Sequence, residues 1–181
     1  AGGVPISNNG VGATTPTADW RGRVIYLVLT DRFHNGNPDN DELGQPDCFD
    51  PSAPTLFHGG DVEGLVERVD YFRELGVGAL WMTPLYAQVP RVVESCGYHG
   101  YWPDFALSEQ VVVEPRLGHA SDVDALIDVL ESQDIAFMLD MIVNHAGYGA
   151  RIEQERPTWF HQGDGCEEMG NADLICPLSG L

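Results

Sequence analysis

The chain has 181 residues, 28 of them acidic, nine arginines and no lysine, for a formal charge of −19 at neutral pH. With 43% hydrophobic residues it can bury a core, which excludes disorder despite the charge. Its anionic surface repels nucleic acid and anionic membranes, and no apolar run reaches the roughly 18 residues of a membrane-spanning helix.

The chain opens on Ala1 without a basic-then-apolar leader, so any signal peptide is expected to have been removed. Its four cysteines fit no zinc spacing. An even count in a loop-rich chain suggests disulfides, most simply Cys166–Cys176, and oxidised pairs imply an exported protein; four free thiols are the plain alternative. Excess acid without lysine also suits high salt or cold marine water, although codon bias alone would exchange Lys for Arg.

In chain order, Ala1 to Trp20 is rich in Gly, Asn, Thr and Pro and reads as a loose arm. Val24 to Leu29 is a continuous apolar run, the pattern of a strand buried on both faces. A polar loop from Thr30 to Gly60 follows. Val62, Leu65, Val66, Val69, Phe72 and Leu75 then recur at helical spacing, with Gly76 placed to end that helix. Gly78 to Met82 is a second buried strand, and a further long loop runs to about His119. Ser121 is expected to cap a second helix, with Asp124 at its third position and Val123, Leu126, Ile127 and Leu130 on one face. Ile135 to Leu139 is the third buried strand.

Strand, helix, strand, helix, strand is parallel α/β. No G-x-G-x-x-G follows the first strand, which disfavours a dinucleotide fold, and long loops after strands suit the (β/α)8 TIM barrel. Such a barrel needs about 250 residues, yet three strands are complete by residue 145. Residues 21–145 therefore read as the first three strands of a barrel, present as a fragment, and 146–181 as an irregular insertion.

Several loops carry chemistry. Five of the seven side chains from Asn35 to Asp41 offer oxygen. Ca²⁺ takes roughly six to eight oxygens, and an ordinary Asx-rich turn is the plain alternative. Asp61 either N-caps the following helix or closes a cation site with a glycine carbonyl beside it. Tyr98 to Phe105 gathers aromatics and His99 into one loop, suited either to a sugar ring or to holding that loop down. Asn144 and His145 stand just beyond the third strand, at the rim where barrel enzymes place catalytic groups. Ser95 and Cys96 lie near His99, but no nucleophile-elbow motif surrounds them.

Taken together, Thr30-Asp31-Arg32-Phe33, the Asn35 to Asp41 loop, Gly59-Gly60-Asp61, Trp81-Met82-Thr83-Pro84, Tyr98-His99-Gly100-Tyr101-Trp102 and Asp140-x-x-x-Asn144-His145 resemble the α-amylase family, glycoside hydrolase family 13, in order and spacing. The resemblance spans nearly all of residues 24 to 181. It implies an α-retaining glycosidase barrel, with residues 146–181 beginning a domain B inserted after strand three. It also implies that Tyr101 stacks under the sugar at the cleavage site, with His99 and Trp102 in the same substrate-binding loop. His145 would hydrogen-bond that sugar, and Asp140 would hold the strand end together. Asn144 would bind the calcium that joins domain B to the barrel. Asn35, Asn37, Asn40, Asp41, the Gly59 carbonyl and Asp61 resemble an additional calcium site of the cyclodextrin glycosyltransferase-like branch, with Asn35 where several relatives carry Asp.

In that family the nucleophile Asp, the acid/base Glu and a third Asp come from strands four, five and seven. The resemblance therefore implies no catalytic carboxylate here and an inactive piece. The whole would be a secreted, calcium-dependent hydrolase of α-1,4-glucosidic bonds in starch-like polymers. Its partner would be an α-glucan polysaccharide or oligosaccharide, with no nucleic acid and no membrane, and it would act as a monomer. A transglycosylase and a non-catalytic carbohydrate-binding barrel are the alternatives.

Overall fold

The computed structural model describes residues 20–107 and 113–160. Strands β1 (Val24–Val28), β2 (Val77–Met82) and β3 (Ala136–Leu139) form one parallel sheet in the order β1-β2-β3. Parallel neighbours require crossover connections. Helices α1 (Val62–Glu67) and α2 (Val69–Glu74) supply the first and α3 (Ala120–Ser132) the second. A short helix, α4 (Arg151–Glu155), follows β3. The expected strand–helix alternation of a parallel barrel is what the chain adopts over three strands. Nearly all of the expected arm, and the Cys166–Cys176 pair, fall outside the described residues. Among those residues no helix is long and apolar enough to cross a membrane.

The core lies between the sheet and its helices. Val28, Leu80 and Met82 from the strands meet Val62, Leu65, Val69 and Phe72 from α1 and α2 and Leu126 and Leu130 from α3. Fully burying one such side chain stabilises by about 1.5–3 kcal/mol. Tyr26 and Phe33 pack against the cluster edge, where Phe33 stacks on Phe72 at 5.1 Å.

Four local expectations need correction. β1 is not buried on both faces: Tyr26 and Val28 turn toward the helices, whereas Ile25 and Leu27 are 49% and 55% exposed. The period of two places these residues on the face that only the other strands of a closed barrel cover. The 62–75 helix is two helices, broken at Arg68 (φ −110°, ψ 15°). Its apolar stripe survives the break except for Leu75, which is exposed. Gly76 does end the second helix, at φ +76°, where a side chain would be strained. The cap of α3 is His119, two residues before the expected Ser121. Asp122, not Asp124, occupies the third helical position and accepts the His119 amide at 2.6 Å. That short charged bond fixes the helix start, while Ser121 Oγ reaches only Asp122, at 3.5 Å.

The observed disulfide joins Cys48 to Cys96, whose Cα atoms are 5.9 Å apart. It pins the loop after β1 to the loop after β2 and is buried with Leu56 and Phe57 under Tyr98. Cys96 is thereby unavailable as a nucleophile beside His99. The bridge closes a sequence separation of 48 residues, and chain-entropy arguments assign such a closure about 4 kcal/mol. A Cys48→Ala/Cys96→Ala variant of the complete protein is expected to lose stability of that order in urea titration; unchanged stability would show that the loops need no tether.

Candidate functional site

Parallel pairing puts all three strand C-termini on one edge. Val28 pairs with Met82, and Met82 with Leu139, so Leu29, Thr83 and Asp140 begin their loops at one level. The Thr83 amide donates to the Val28 carbonyl at 3.1 Å, and the Asp140 amide to the Met82 carbonyl at 3.0 Å. The Thr30 and Thr83 hydroxyls are 3.3 Å apart. Directly beyond, Asp31 is buried to 1% exposure. Its carboxylate accepts the His58 and Gly59 amides and pairs with Arg32 at 3.0 Å. Burial outweighs these partners and pushes its pKa up to about 6.

Tyr101 is the hub of the rim. Its hydroxyl donates to Asp140 Oδ2 at 2.6 Å. Its amide donates to His99 Nδ1 at 2.9 Å, and its carbonyl accepts from His145 Nε2 at 3.0 Å. The loop after β2 is thus fastened to the end of β3 through one residue. Burial pushes the Tyr101 hydroxyl up to about 12, and the hydrogen bond to Asp140 and its charge add to this. These partners also set the two histidine tautomers. Neutral His99, with Nδ1 accepting, keeps Nε2–H as a donor; neutral His145, with Nε2–H engaged, keeps Nδ1 as an acceptor. Burial, and after it the charge of Arg32, lowers the His99 pKa below its ordinary 6.5.

Trp102 sits on the same loop with its ring turned into packing. It meets His99 edge-on at 4.8 Å and Tyr148 at 5.7 Å, and it lies against the small core of Val89, Ala150 and Ile152. Asn144 and His145 are both exposed beyond β3.

The Asn35 to Asp41 loop folds over the start of α1. Asp61 N-caps that helix by accepting the Gly64 amide at 2.7 Å. It also accepts the Gly36 amide at 3.1 Å, the Asn37 amide at 2.9 Å and Asn40 Nδ2 at 3.0 Å. The N-cap reading of Asp61 is the one the structure shows, in a carboxylate buried to 0% exposure. Asn35 Nδ2 donates to Asp41 at 2.8 and 3.0 Å, and Asn37 Nδ2 donates to Glu63 at 2.7 Å. Asn35 Oδ1 and Asn40 Oδ1 are buried without a hydrogen-bond partner. Gly59, at φ +90°, lets its backbone close on the Asn35–Asp41 contact; a Cβ there would collide with Asn35 Nδ2 and Asp41 Oδ1. Among the described residues no three His, Cys, Asp or Glu side chains converge as a metal cluster; the oxygens gathered here are mostly amide and carbonyl, with the Asp41 carboxylate beside them. No hydrogen bond joins Asn144 to this loop among the described residues.

Three buried groups that support the rim were not picked out from sequence. Gln88 donates to the Tyr86 and Gly100 carbonyls and accepts the Trp102 amide at 2.8 Å. Glu114 accepts the Gln88 amide at 2.8 Å and pairs with Arg116 Nε at 2.6 Å; both side chains of the pair are 3% exposed. The Arg116 guanidinium lies 3.9 Å over the Phe57 ring. The only sequence signal was a lone Gln inside the apolar run Leu85 to Val89, a polar group whose burial demands partners.

Comparison with known proteins gives a single answer. The model of the α-amylase catalytic domain matches residues 27–163. The periplasmic α-amylase of Escherichia coli K12 is 31% identical over 150 residues, 78% of this chain and 22% of that enzyme. The cyclomaltodextrin glucanotransferase of Klebsiella oxytoca is 30% identical over 149 residues, 80% of this chain and 22% of that enzyme. Among solved structures, an Anoxybacillus α-amylase aligns with a TM-score of 0.67 at 33% identity, covering 85% of this chain and 31% of that one. The chain therefore spans 22% of the length of both curated enzymes. It belongs to the α-amylase family, and its three-stranded sheet is part of that family's catalytic barrel.

Proposed function

We propose that this chain forms the sugar-gripping edge of a secreted, calcium-dependent, retaining α-glucan hydrolase that cuts α-1,4-glucosidic bonds inside starch-like polymers. The observation that carries this reading is Tyr101, fastened by Asp140, His99 and His145 at the C-terminal ends of β2 and β3, the edge on which barrel enzymes work. Its ring offers an apolar platform to the C–H face of a sugar. The donor left on His99 and the acceptor left on His145 suit sugar hydroxyls, which need both. Trp102 backs the platform, and Asp140 orients it without reacting.

Double displacement needs a carboxylate nucleophile and an acid/base about 5–5.5 Å apart. In the family these come from strands four and five, with a third carboxylate from strand seven. Those strands lie outside this chain, so the chain by itself is proposed to be inactive.

Calcium fits the first loop. The partnerless Asn35 and Asn40 oxygens, the Asp41 carboxylate, the Asn37 amide and the Gly59 carbonyl are oxygen donors of the type calcium takes. Asp61, already accepting four hydrogen bonds, would shape this set, and its own coordination would require one of those bonds to give way. Asn144 would serve a separate calcium between barrel and domain B. Bound calcium would cross-link loops that the backbone leaves open. The disulfide supports an oxidising compartment, and the anionic surface supports a monomer without nucleic-acid or membrane partners. Transglycosylation stands as the second reading, favoured by the oxygen-rich first loop and by the Klebsiella relative.

Three measurements test the proposal on the complete enzyme. EDTA is expected to lower its melting temperature by several degrees, and Gly59→Ala, whose Cβ would displace the Asn35 and Asp41 side chains, is expected to shrink that difference; an EDTA-insensitive melt would rule out both calcium sites. Tyr101→Ala is expected to cut starch hydrolysis by about a hundredfold or more and Tyr101→Phe by about tenfold, the lower end of what one hydrogen bond to a charged group is worth; undiminished hydrolysis by Tyr101→Ala would remove the platform. The third concerns alkaline stability. A tyrosine raised above its ordinary 10.0 favours the neutral form when folded, so its contribution is complete below pH 10 and is lost as pH climbs toward 12. Tyr101→Phe is expected to flatten that alkaline fall in a pH series of melts, and an equally steep fall would sever Tyr101 from it.

A further inference from the structure

Arg32 lies where the two long loops meet, yet it belongs to neither the sugar contacts nor the cation loop. It ends the 3-10 turn Thr30–Arg32 that follows β1. Its guanidinium sits 3.9 Å over the Tyr98 ring, and its Nη2 donates to the Pro54 carbonyl at 2.9 Å. The Asp31 carboxylate pairs with its Nη1 at 3.0 Å and has no exposed side-chain surface. The side chain is therefore fixed by its hydrogen bond to the Pro54 carbonyl and by the Tyr98 face, with the Asp31 carboxylate attracting Nη1 as a charge rather than through an aligned hydrogen bond. The other side of this contact is equally constrained. Tyr98 packs on the buried Cys48–Cys96 cluster, and its ring meets His99 edge-on at 5.1 Å.

We propose that Arg32 is a positioning residue for sugar binding: stacked on Tyr98, it holds the loop so that His99 accepts the Tyr101 amide and keeps its Nε2–H for a sugar hydroxyl. A guanidinium on an aromatic face is an attractive contact that strengthens as water is excluded. Its charge acts in the same direction as its shape. An imidazolium at His99 would carry a proton on Nδ1, lose the Tyr101 amide and face a like charge from Arg32. The other groups around His99 are Tyr98, Trp102 and Tyr101 from its own loop, with Asp140 and His145 from the end of β3 reaching it through Tyr101. Asp140 reaches His99 only through Tyr101, whose hydroxyl occupies its near oxygen, and Asp31, the carboxylate beside Arg32, loses its offsetting charge as pH falls through about 6. Arg32 thus opposes protonation of His99, most fully at the lower pH where Asp31 is neutral.

This inference rests on the reading of His99 as a sugar contact, and the experiment separates the two. In the complete enzyme, Arg32→Gln, Arg32→Lys and His99→Gln are compared by steady-state hydrolysis of a soluble maltooligosaccharide across pH, and the His99 ring is followed by NMR. Arg32→Gln is expected to move the His99 titration upward and to raise KM about three- to tenfold, the size of one hydrogen bond, with kcat little changed and the defect growing as pH falls. Arg32→Lys, which keeps the charge and loses the planar stack, is expected to restore the titration more fully than KM. An unmoved His99 titration in Arg32→Gln, with His99→Gln impaired in KM, would overturn the role of Arg32 alone. So would a loss of melting temperature with kcat and KM falling alike at every pH. Unchanged KM in His99→Gln would overturn the sugar contact and, with it, the proposal.

Discussion

The parallel register of the three strands governs most of what else the chain does. Val28, Met82 and Leu139 stand side by side, so every loop that leaves a strand starts from the same edge. Residues far apart in sequence meet there because their strands deliver them to one level. Tyr101 reaches Asp140 across 39 positions at 2.6 Å, and the Arg32 guanidinium reaches the Tyr98 face. Without that register the polar residues would be scattered Asx turns and histidines. With it they form a rim whose hydrogen-bond capacity is set residue by residue.

Two kinds of support hold the rim in place. One is a set of buried polar groups that satisfy loop backbone: Asp31 for His58 and Gly59, Gln88 for Gly100 and Trp102, and Glu114 for Gln88. Buried backbone amides and carbonyls without partners are costly, and long loops pressed against a barrel carry many of them. The other is apolar, the disulfide with Leu56 and Phe57 under the first two loops. The Glu114–Arg116 pair joins the two, because the guanidinium that balances the buried carboxylate also covers Phe57. A buried ion pair is weak support for stability by itself; here each member also has a second partner that fixes a loop.

The order of strands and helices was legible because apolar periodicity is dense in Val24 to Val28, Val77 to Met82 and along α3, where a core must form. Gly76 was equally legible, since positive φ favours a residue without a side chain. The start of α3 was misplaced because Ser121 offers the usual capping hydroxyl, whereas a charged bond from Asp122 to the His119 amide set the boundary two residues earlier. The exposure of Ile25 and Leu27 could not be read from their own apolarity, which shows what a strand face requires and not whether the covering strand belongs to the same chain. The resemblance to the α-amylase family singled out Tyr101, His99, His145 and the Asn35 to Asp41 loop, whose own patterns fit ordinary turns and packing as well. Gln88, Glu114 and Arg32 went unassigned because their roles are visible only as distances to backbone and ring atoms brought in by other elements.

The connectivity of the disulfide also bears on how the chain is made. Four cysteines admit three complete pairings, and Cys48 must find a partner 48 positions away. The residues between them hold α1, α2 and β2, the unit whose packing beside β1 brings the two thiols together. Folding of that unit therefore selects which thiols meet: the bridge joins residues that the packed helices and β2 have already brought side by side, and it locks a fold that is local to the first two strands.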